Sequence, residues 1–155
     1  MGGFADRVTS VVEELREMSR GIHPAILSEG GLAPAFEALA LRSAVPVNLN
    51  VRHEQRLPDA VEVAAYYVAS EALTNAAKHA DASRVELDLH LEDESLRLSI
   101  RDDGVGGADQ SRGSGLVGLK DRVEALGGTI EVESPHGRGT RLRVAIPVRP
   151  DSSPR

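Results

Sequence analysis

Apolar residues recur along this chain with two different periods. Over residues 5–20, Val8, Val11, Val12, Leu15 and Met18 fall three or four apart, which predicts a helix. His23-Pro24 ends it, because the residue before a proline avoids helical backbone angles. Leu32, Phe36, Leu39 and Leu41 predict a second helix over about 30–43. Val47, Leu49 and Val51 then alternate with Asn48 and Asn50, the mark of a half-buried strand over 46–52. Leu57-Pro58-Asp59 opens a long, alanine-rich helix over about 59–79. Strict alternation returns at Val85, Leu87, Leu89 and Leu91, and again at Leu96, Leu98 and Ile100. Asp93-Glu94 lies between the two runs, so they form a hairpin. A glycine-rich loop covers 103–114, and Leu116, Leu119, Val123 and Leu126 give a helical stripe closed by Gly127-Gly128. A last hairpin joins 129–134 to 140–148 around His136-Gly137-Arg138-Gly139. The strands are apolar on one side only. The predicted fold class is therefore α+β: a two-layer sandwich of a mixed, mostly antiparallel sheet with helices on one face.

Composition narrows what such a domain can do. The chain has 155 residues, enough for one core without cross-links, and it has no cysteine. Net charge is −6 and aromatics are 3%, which argues against a phosphate-backbone binder and a base-stacking platform; no nucleic-acid partner is expected. No apolar run approaches a membrane span and the first residues lack a signal-peptide pattern, so a cytoplasmic location is expected. Basic residues are 16 Arg against 2 Lys. The 15 glycines are unevenly placed: none lies between 32 and 103, and six lie between 104 and 118.

Three places break the hydrophobic pattern. Period two puts Asp102 on the same face as Leu96, Leu98 and Ile100, the core face. A carboxylate there is costly unless something binds it, so Asp102 is either a ligand acceptor or a solvated residue starting a turn. On the long helix Ala64, Val68, Glu71, Asn75 and Lys78 share one stripe, which turns from apolar to acid, amide and base. Glu71 and Asn75 could offer oxygens to Mg²⁺, and Lys78 or His79 could approach a phosphate. Alternatively these residues form a solvated face, and Leu73, Ala76 and Ala77 supply the core contacts. Finally, Gly113-Ser114-Gly115-Leu116-Val117-Gly118-Leu119 opens a helix with glycines, leaving backbone N–H groups free for an anion. It is neither a Walker loop nor a Rossmann fingerprint, since no Gly-Lys-Ser/Thr follows and the loop does not follow the first strand of a βαβ unit.

Taken together, the three segments resemble a known set. Glu71-Ala72-Leu73-Thr74-Asn75-Ala76-Ala77-Lys78-His79 is similar to the asparagine box of sensor histidine kinases. Asp102-Asp103-Gly104-Val105-Gly106 resembles their first glycine box, and the 113–119 segment their second. Gly137-Arg138-Gly139-Thr140 resembles the motif before the final strand. Leu15-Arg16, Arg20-Gly21-Ile22-His23-Pro24, Leu27 and Gly31-Leu32 resemble the segment preceding the catalytic domain in kinases that serve NarL/LuxR-type response regulators. The resemblance implies the ATP-binding fold shared by gyrase, the heat-shock chaperones, histidine kinases and mismatch-repair proteins, with ATP and Mg²⁺ as cofactors. It implies that Asp102 accepts a hydrogen bond from the adenine amino group and that Asn75 holds Mg²⁺. It places Glu71 near the metal and the γ-phosphate, and Lys78 and His79 near the phosphates or ribose. Gly104, Gly106, Gly113, Ser114, Gly115, Leu116 and Gly118 would shape the pocket and its lid, and Thr140 would support the adenine site.

None of the five histidines sits mid-helix before an acid, so no phosphoacceptor is present in this sequence. The expectation is a catalytic fragment: 1–28 the end of a dimerisation helix and its linker, 29–149 the ATP-binding domain, 150–155 a disordered tail. Its partners would be ATP or ADP, its own dimerisation and phosphoacceptor domain, and a NarL/LuxR-type regulator. The fragment itself would not touch a membrane. A serine kinase of the anti-sigma-factor type and a non-catalytic nucleotide-sensing module are the alternatives.

Overall fold

The structure, a computed structural model, describes residues 25–52, 55–78, 82–105 and 114–148, with the backbone alone at 114–117. The helix expected over 5–20, His79, Gly106, Gly113 and the tail lie outside these residues. The elements are α1 (Ala25–Gly30), α2 (Leu32–Arg42), β1 (Val47–Val51), α3 (Asp59–Lys78), β2 (Val85–Glu92), β3 (Ser95–Asp102), α4 (Ser114–Ala125), β4 (Thr129–Glu133) and β5 (Thr140–Pro147). The five strands form one sheet in the order β1-β2-β3-β5-β4. β1 pairs parallel to β2 and the other pairs are antiparallel. The expected mixed sheet with helices on one face is what forms.

Alternation dictates the two faces. Val85, Leu87, Leu89, Leu96, Leu98, Ile100, Leu142, Val144 and Ile146 are buried under the helices. The other face carries exposed charge in cross-strand pairs, such as Arg143 with Glu133 at 3.6 Å and Asn50 donating to Asp88 at 2.9 Å. Arg97 and Arg143 are used in this way, paired with Glu92 and Glu133. Asp93 and Glu94 take positive φ of 53° and 60°, the backbone that a two-residue hairpin turn requires.

Because β1 and β2 are parallel, the connection between them must return along the sheet, and α3 does so. Alanines 64, 65, 69 and 76 are at most 1% exposed, which lets its backbone lie close to its neighbours. From Val61 to Ser70 every residue but Val63 is buried, so the first half of α3 is wrapped on all sides. In the last turns the wrapping opens: Leu73 and Ala76 stay in the core, Glu71 and Asn75 are half-buried, and Lys78 is exposed. Ala77, which the solvated-face alternative grouped with Leu73 and Ala76 as a core contact, is exposed. It lies 100° round from Ala76, at a helix end that no other described element covers.

The single helix expected over 30–43 is shorter, and a separate helix, α1, precedes it. Gly31 separates them with φ +82°, while its N–H closes α1 on the Leu27 carbonyl at 2.9 Å. A side chain at Gly31 would also meet Arg56 Cδ at 2.8 Å. Arg56 is there because it clamps α1 to the first turn of α3. It pairs bidentately with Glu62, Nε to Oε2 at 3.1 Å and Nη2 to Oε1 at 3.0 Å, and donates to the Leu27 and Ser28 carbonyls at 2.9 and 3.3 Å. Leu57 N–H donates to the same carboxylate at 3.1 Å, and Glu62 is fully buried.

Candidate functional site

Asp102 is the last residue of β3 and keeps the inward phase of the strand. It is 8% exposed, so the solvated-turn alternative does not hold. Burying a carboxylate needs compensation. Oδ1 accepts the Gly104 N–H at 2.9 Å and the Thr140 N–H at 3.2 Å, the latter from its own rung partner on β5. Oδ2 takes part in neither bond. No ion pair reaches Asp102 among the described residues. The result is an anchored carboxylate with one oxygen held by backbone and the other left to accept a donor.

The surroundings are shaped to crowd that carboxylate with backbone rather than side chains. Gly139 has φ +77°, and a Cβ there would run into the Asp102 carbonyl oxygen, so glycine is required. Two residues earlier, the Gly137 N–H donates to the Val105 carbonyl at 2.6 Å. This bond ties the β4–β5 turn to the start of the glycine-rich run. Thr140 and Ser134 share a hydroxyl hydrogen bond at 2.6 Å, which fixes the foot of β5. Thr140 therefore touches Asp102 through its backbone N–H, while its hydroxyl is engaged with Ser134.

The amide-bearing end of α3 comes to the same end of the sheet. α3 returns from the end of β1 to the start of β2, and Val85, the first residue of β2, is the register partner of Asp102. Glu71, Asn75 and Lys78 thus emerge from the wrapped part of the helix on the side of the sheet where Asp102 ends β3. The Asn75 amide makes no hydrogen bond among the described residues. α4 packs beside α3 and begins at Ser114, so the backbone of Ser114, Gly115 and Leu116 forms the first turn of a helix, as the glycine placement predicts. Gly118 has open space around it.

Two groups were not singled out from sequence. One is the Arg56–Glu62 clamp, signalled by an acid on the core face of α3. The other is Asp103, whose carboxylate bonds to Ser83 and Arg84.

With this geometry in hand, comparison with known proteins is direct. Residues 60–150 match the model of the histidine kinase-, DNA gyrase B- and HSP90-like ATPase family, more than half of the chain. The chain belongs to that family, and it is an ATP-binding catalytic domain of the sensor histidine kinase kind. Over 148 residues it is 36% identical to the signal transduction histidine-protein kinase/phosphatase UhpB of Salmonella typhimurium, covering 90% of this chain and 29% of that protein. The sensor histidine kinase NarS of Mycobacterium tuberculosis is 32% identical over 151 residues, covering 90% and 35%. The oxygen sensor histidine kinase NreB of Staphylococcus carnosus is 29% identical over 150 residues, covering 91% and 43%. The chain thus spans less than half the length of these relatives. Among solved structures, the histidine kinase domain of the blue-light-activated histidine kinase of Erythrobacter litoralis aligns with a TM-score of 0.61 at 27% identity, covering 75% of this chain and 57% of that one. No helix among the described residues is long and apolar enough to cross a membrane.

Proposed function

We propose that this chain binds Mg-ATP between the end of α3 and the ends of β3 and β5, and donates the γ-phosphoryl group to a histidine on a separate dimerisation domain, for relay to a NarL/LuxR-type regulator. The observation that carries the reading is Asp102: buried, without a cation, one oxygen held by two backbone N–H groups and the other out of those bonds. Such a carboxylate accepts from an exocyclic amine. Adenine offers an amine at that edge, and a carbonyl in its place would be repelled.

The remaining assignments follow the same reading. A hard cation that keeps water and phosphate oxygens around it needs one or two protein oxygens. The Asn75 amide oxygen and the Glu71 carboxylate, one turn apart on one stripe, suit that requirement. When bound, Mg²⁺ would neutralise charge on the phosphates. In this reading Glu71 would act near the γ-phosphate as general base, and Lys78 and His79 would meet the phosphates or ribose. Gly104, Gly106, Gly113, Gly115 and Gly118 admit backbone close to the nucleotide. The N–H groups from Ser114 to Leu116 favour negative charge at the start of α4, and Thr140 holds Asp102. Catalysis is then positioning plus electrostatic stabilisation of the transferring group. The division at residue 28 belongs to the same proposal, with 29–149 as the ATP-binding domain and 150–155 as a tail; α1 straddles that boundary.

Calorimetric titration with ADP tests the reading. The wild-type chain binds, and Asp102→Ala loses binding while keeping its circular dichroism spectrum. Unchanged ADP affinity in that variant would remove the adenine assignment. Incubation with labelled ATP separates the enzyme classes: no acid-labile phosphate forms on the chain alone, and it forms on an added histidine-bearing acceptor helix. Transfer to a serine of an added protein instead would favour the serine kinase reading.

A further inference from the structure

The residue after Asp102 is a second aspartate with a different set of partners. Asp103 is exposed, yet its carboxylate accepts three hydrogen bonds from one short stretch. Oδ1 accepts the Ser83 N–H at 2.8 Å and the Arg84 N–H at 3.1 Å, and Oδ2 accepts the Ser83 hydroxyl. The hydroxyl bond, then the two backbone bonds, hold its pKa down at about 2. An exposed loop aspartate ordinarily spends its acceptor capacity on water. Here both oxygens are committed, and two of the three donors are backbone groups, which cannot rotate away.

These donors belong to the connection from α3 to β2. Strand pairing alone does not hold that connection. The ladder begins at Val85, opposite Asp102, where Val85 N–H also donates to the Pro46 carbonyl at 2.9 Å. Asp103 extends the fixed backbone two residues beyond that first rung, back toward α3. Lys78, the last residue of α3, is then separated from a pinned residue by four positions. The nucleotide reading needs groups from two elements, Asn75 and Lys78 from the end of α3 and Asp102 from the end of β3. The stretch held by Asp103 is the joint between them.

We infer that Asp103 is a positioning residue of the nucleotide site, stapling the return from α3 against the end of β3 so that Asn75 and Lys78 stay in register with Asp102. This rests on the nucleotide reading above. Asp103 needs no contact with the ligand to act in this way. A role in stability alone would lower the unfolding temperature without changing the affinity of the folded protein.

The test uses the full chain, with Mg-ADP titration and thermal unfolding measured in parallel. Asp103→Ala removes the staple. Asp103→Asn rebuilds it without the charge, because its oxygen can accept both N–H groups and its amide can donate to the Ser83 hydroxyl. Ser83→Ala removes the hydroxyl bond alone and serves if Asp103→Ala does not fold. The expected result is an ADP affinity about tenfold weaker in Asp103→Ala, about two- to threefold weaker in Ser83→Ala, and close to wild type in Asp103→Asn. Wild-type affinity in folded Asp103→Ala, or in Ser83→Ala should Asp103→Ala not fold, would overturn the inference and leave the nucleotide reading standing. Equal losses in Asp103→Ala and Asp103→Asn would overturn it too, since charge and not the staple would then matter. Absence of ADP binding by the wild-type chain would overturn both.

Discussion

Two buried carboxylates sit at opposite stations of this domain and differ in how they are satisfied. Glu62, in the first turn of α3, meets a guanidinium on both oxygens and a backbone N–H besides. Asp102, at the end of β3, meets two backbone N–H groups on one oxygen and, among the described residues, no cation. Both lie on inward faces, but only Asp102 stands out in the sequence, where strand alternation puts it in phase with Leu96, Leu98 and Ile100. The difference is in the remaining capacity. A buried acid with a full complement of partners closes a structure, here binding α1, residues 56–57 and α3 into one unit. On the proposed reading, one with an oxygen outside those bonds and no ion pair among the described residues is an arrangement that a ligand would complete. Burial alone therefore does not mark a site; the unspent acceptor does.

That contrast can be broken by exchange of effects. Removing the finished acid should cost the most stability. Glu62→Ala leaves the Arg56 charge and the Leu57 N–H without their partner, and should destabilise by about 3 kcal/mol, at the low end for a buried pair because Arg56 is partly exposed. Chemical denaturation measures it, and the folded fraction should retain ADP affinity. Removing the unfinished acid should do the reverse. Asp102→Ala should change the unfolding free energy by about 1 kcal/mol or less, because lost bonds are offset by relief of carboxylate burial. A stability loss equal to that of Glu62→Ala would erase the distinction.

A third carboxylate sharpens it through pH. Asp103 titrates at about 2 in the folded chain, below its ordinary value of 3.8. Its folded-state pKa is depressed, so its contribution is fully present above the unfolded value and is lost as pH falls through the folded one. The gap in unfolding temperature between wild type and Asp103→Ala should be flat from about pH 5 to 8 and should narrow below about pH 4. A modest effect is expected at the turn. Gly137 has φ +80° and open space around it, so Gly137→Ala should cost only the backbone strain of about 1 kcal/mol. Gly139→Ala should cost more, because its side chain would strike β3. Equal costs at the two positions would show that Gly139 is not held against Asp102.

Most of the fold was legible because it is periodic. Alternation in 85–91 and 96–102 gave the hairpin, its faces and the inward phase of Asp102, and the four-three spacing gave the stripe that ends in Asn75 and Lys78. What was not legible has no period. Arg56 reaches carbonyls 28 and 29 residues upstream, and Asp103 reaches residues 19 and 20 upstream. Side-chain to backbone bonds of that range leave no trace in local spacing. The break between α1 and α2 was half legible: the Gly30-Gly31 pair marks it, but the short helix before it has too few residues to show a stripe. The exposure of Ala77 was not legible either, because a stripe predicts which side of a helix is apolar, not how far round or along the helix the cover extends.

The rung that joins Asp102 to Thr140 has a further consequence. These residues are 38 apart in sequence, and the excursion between them carries α4 and adds β4 to the edge of the sheet before the chain meets β3 again at this rung. The entropy of closing such a loop grows only with the logarithm of its length, and a doubling costs about 0.6 kcal/mol. Residues added to or removed from the glycine run should therefore change the closing cost by a few tenths of a kcal/mol, while the carboxylate at the base keeps its bonds. The length of that run is thus nearly free to drift without rebuilding the rung beneath it.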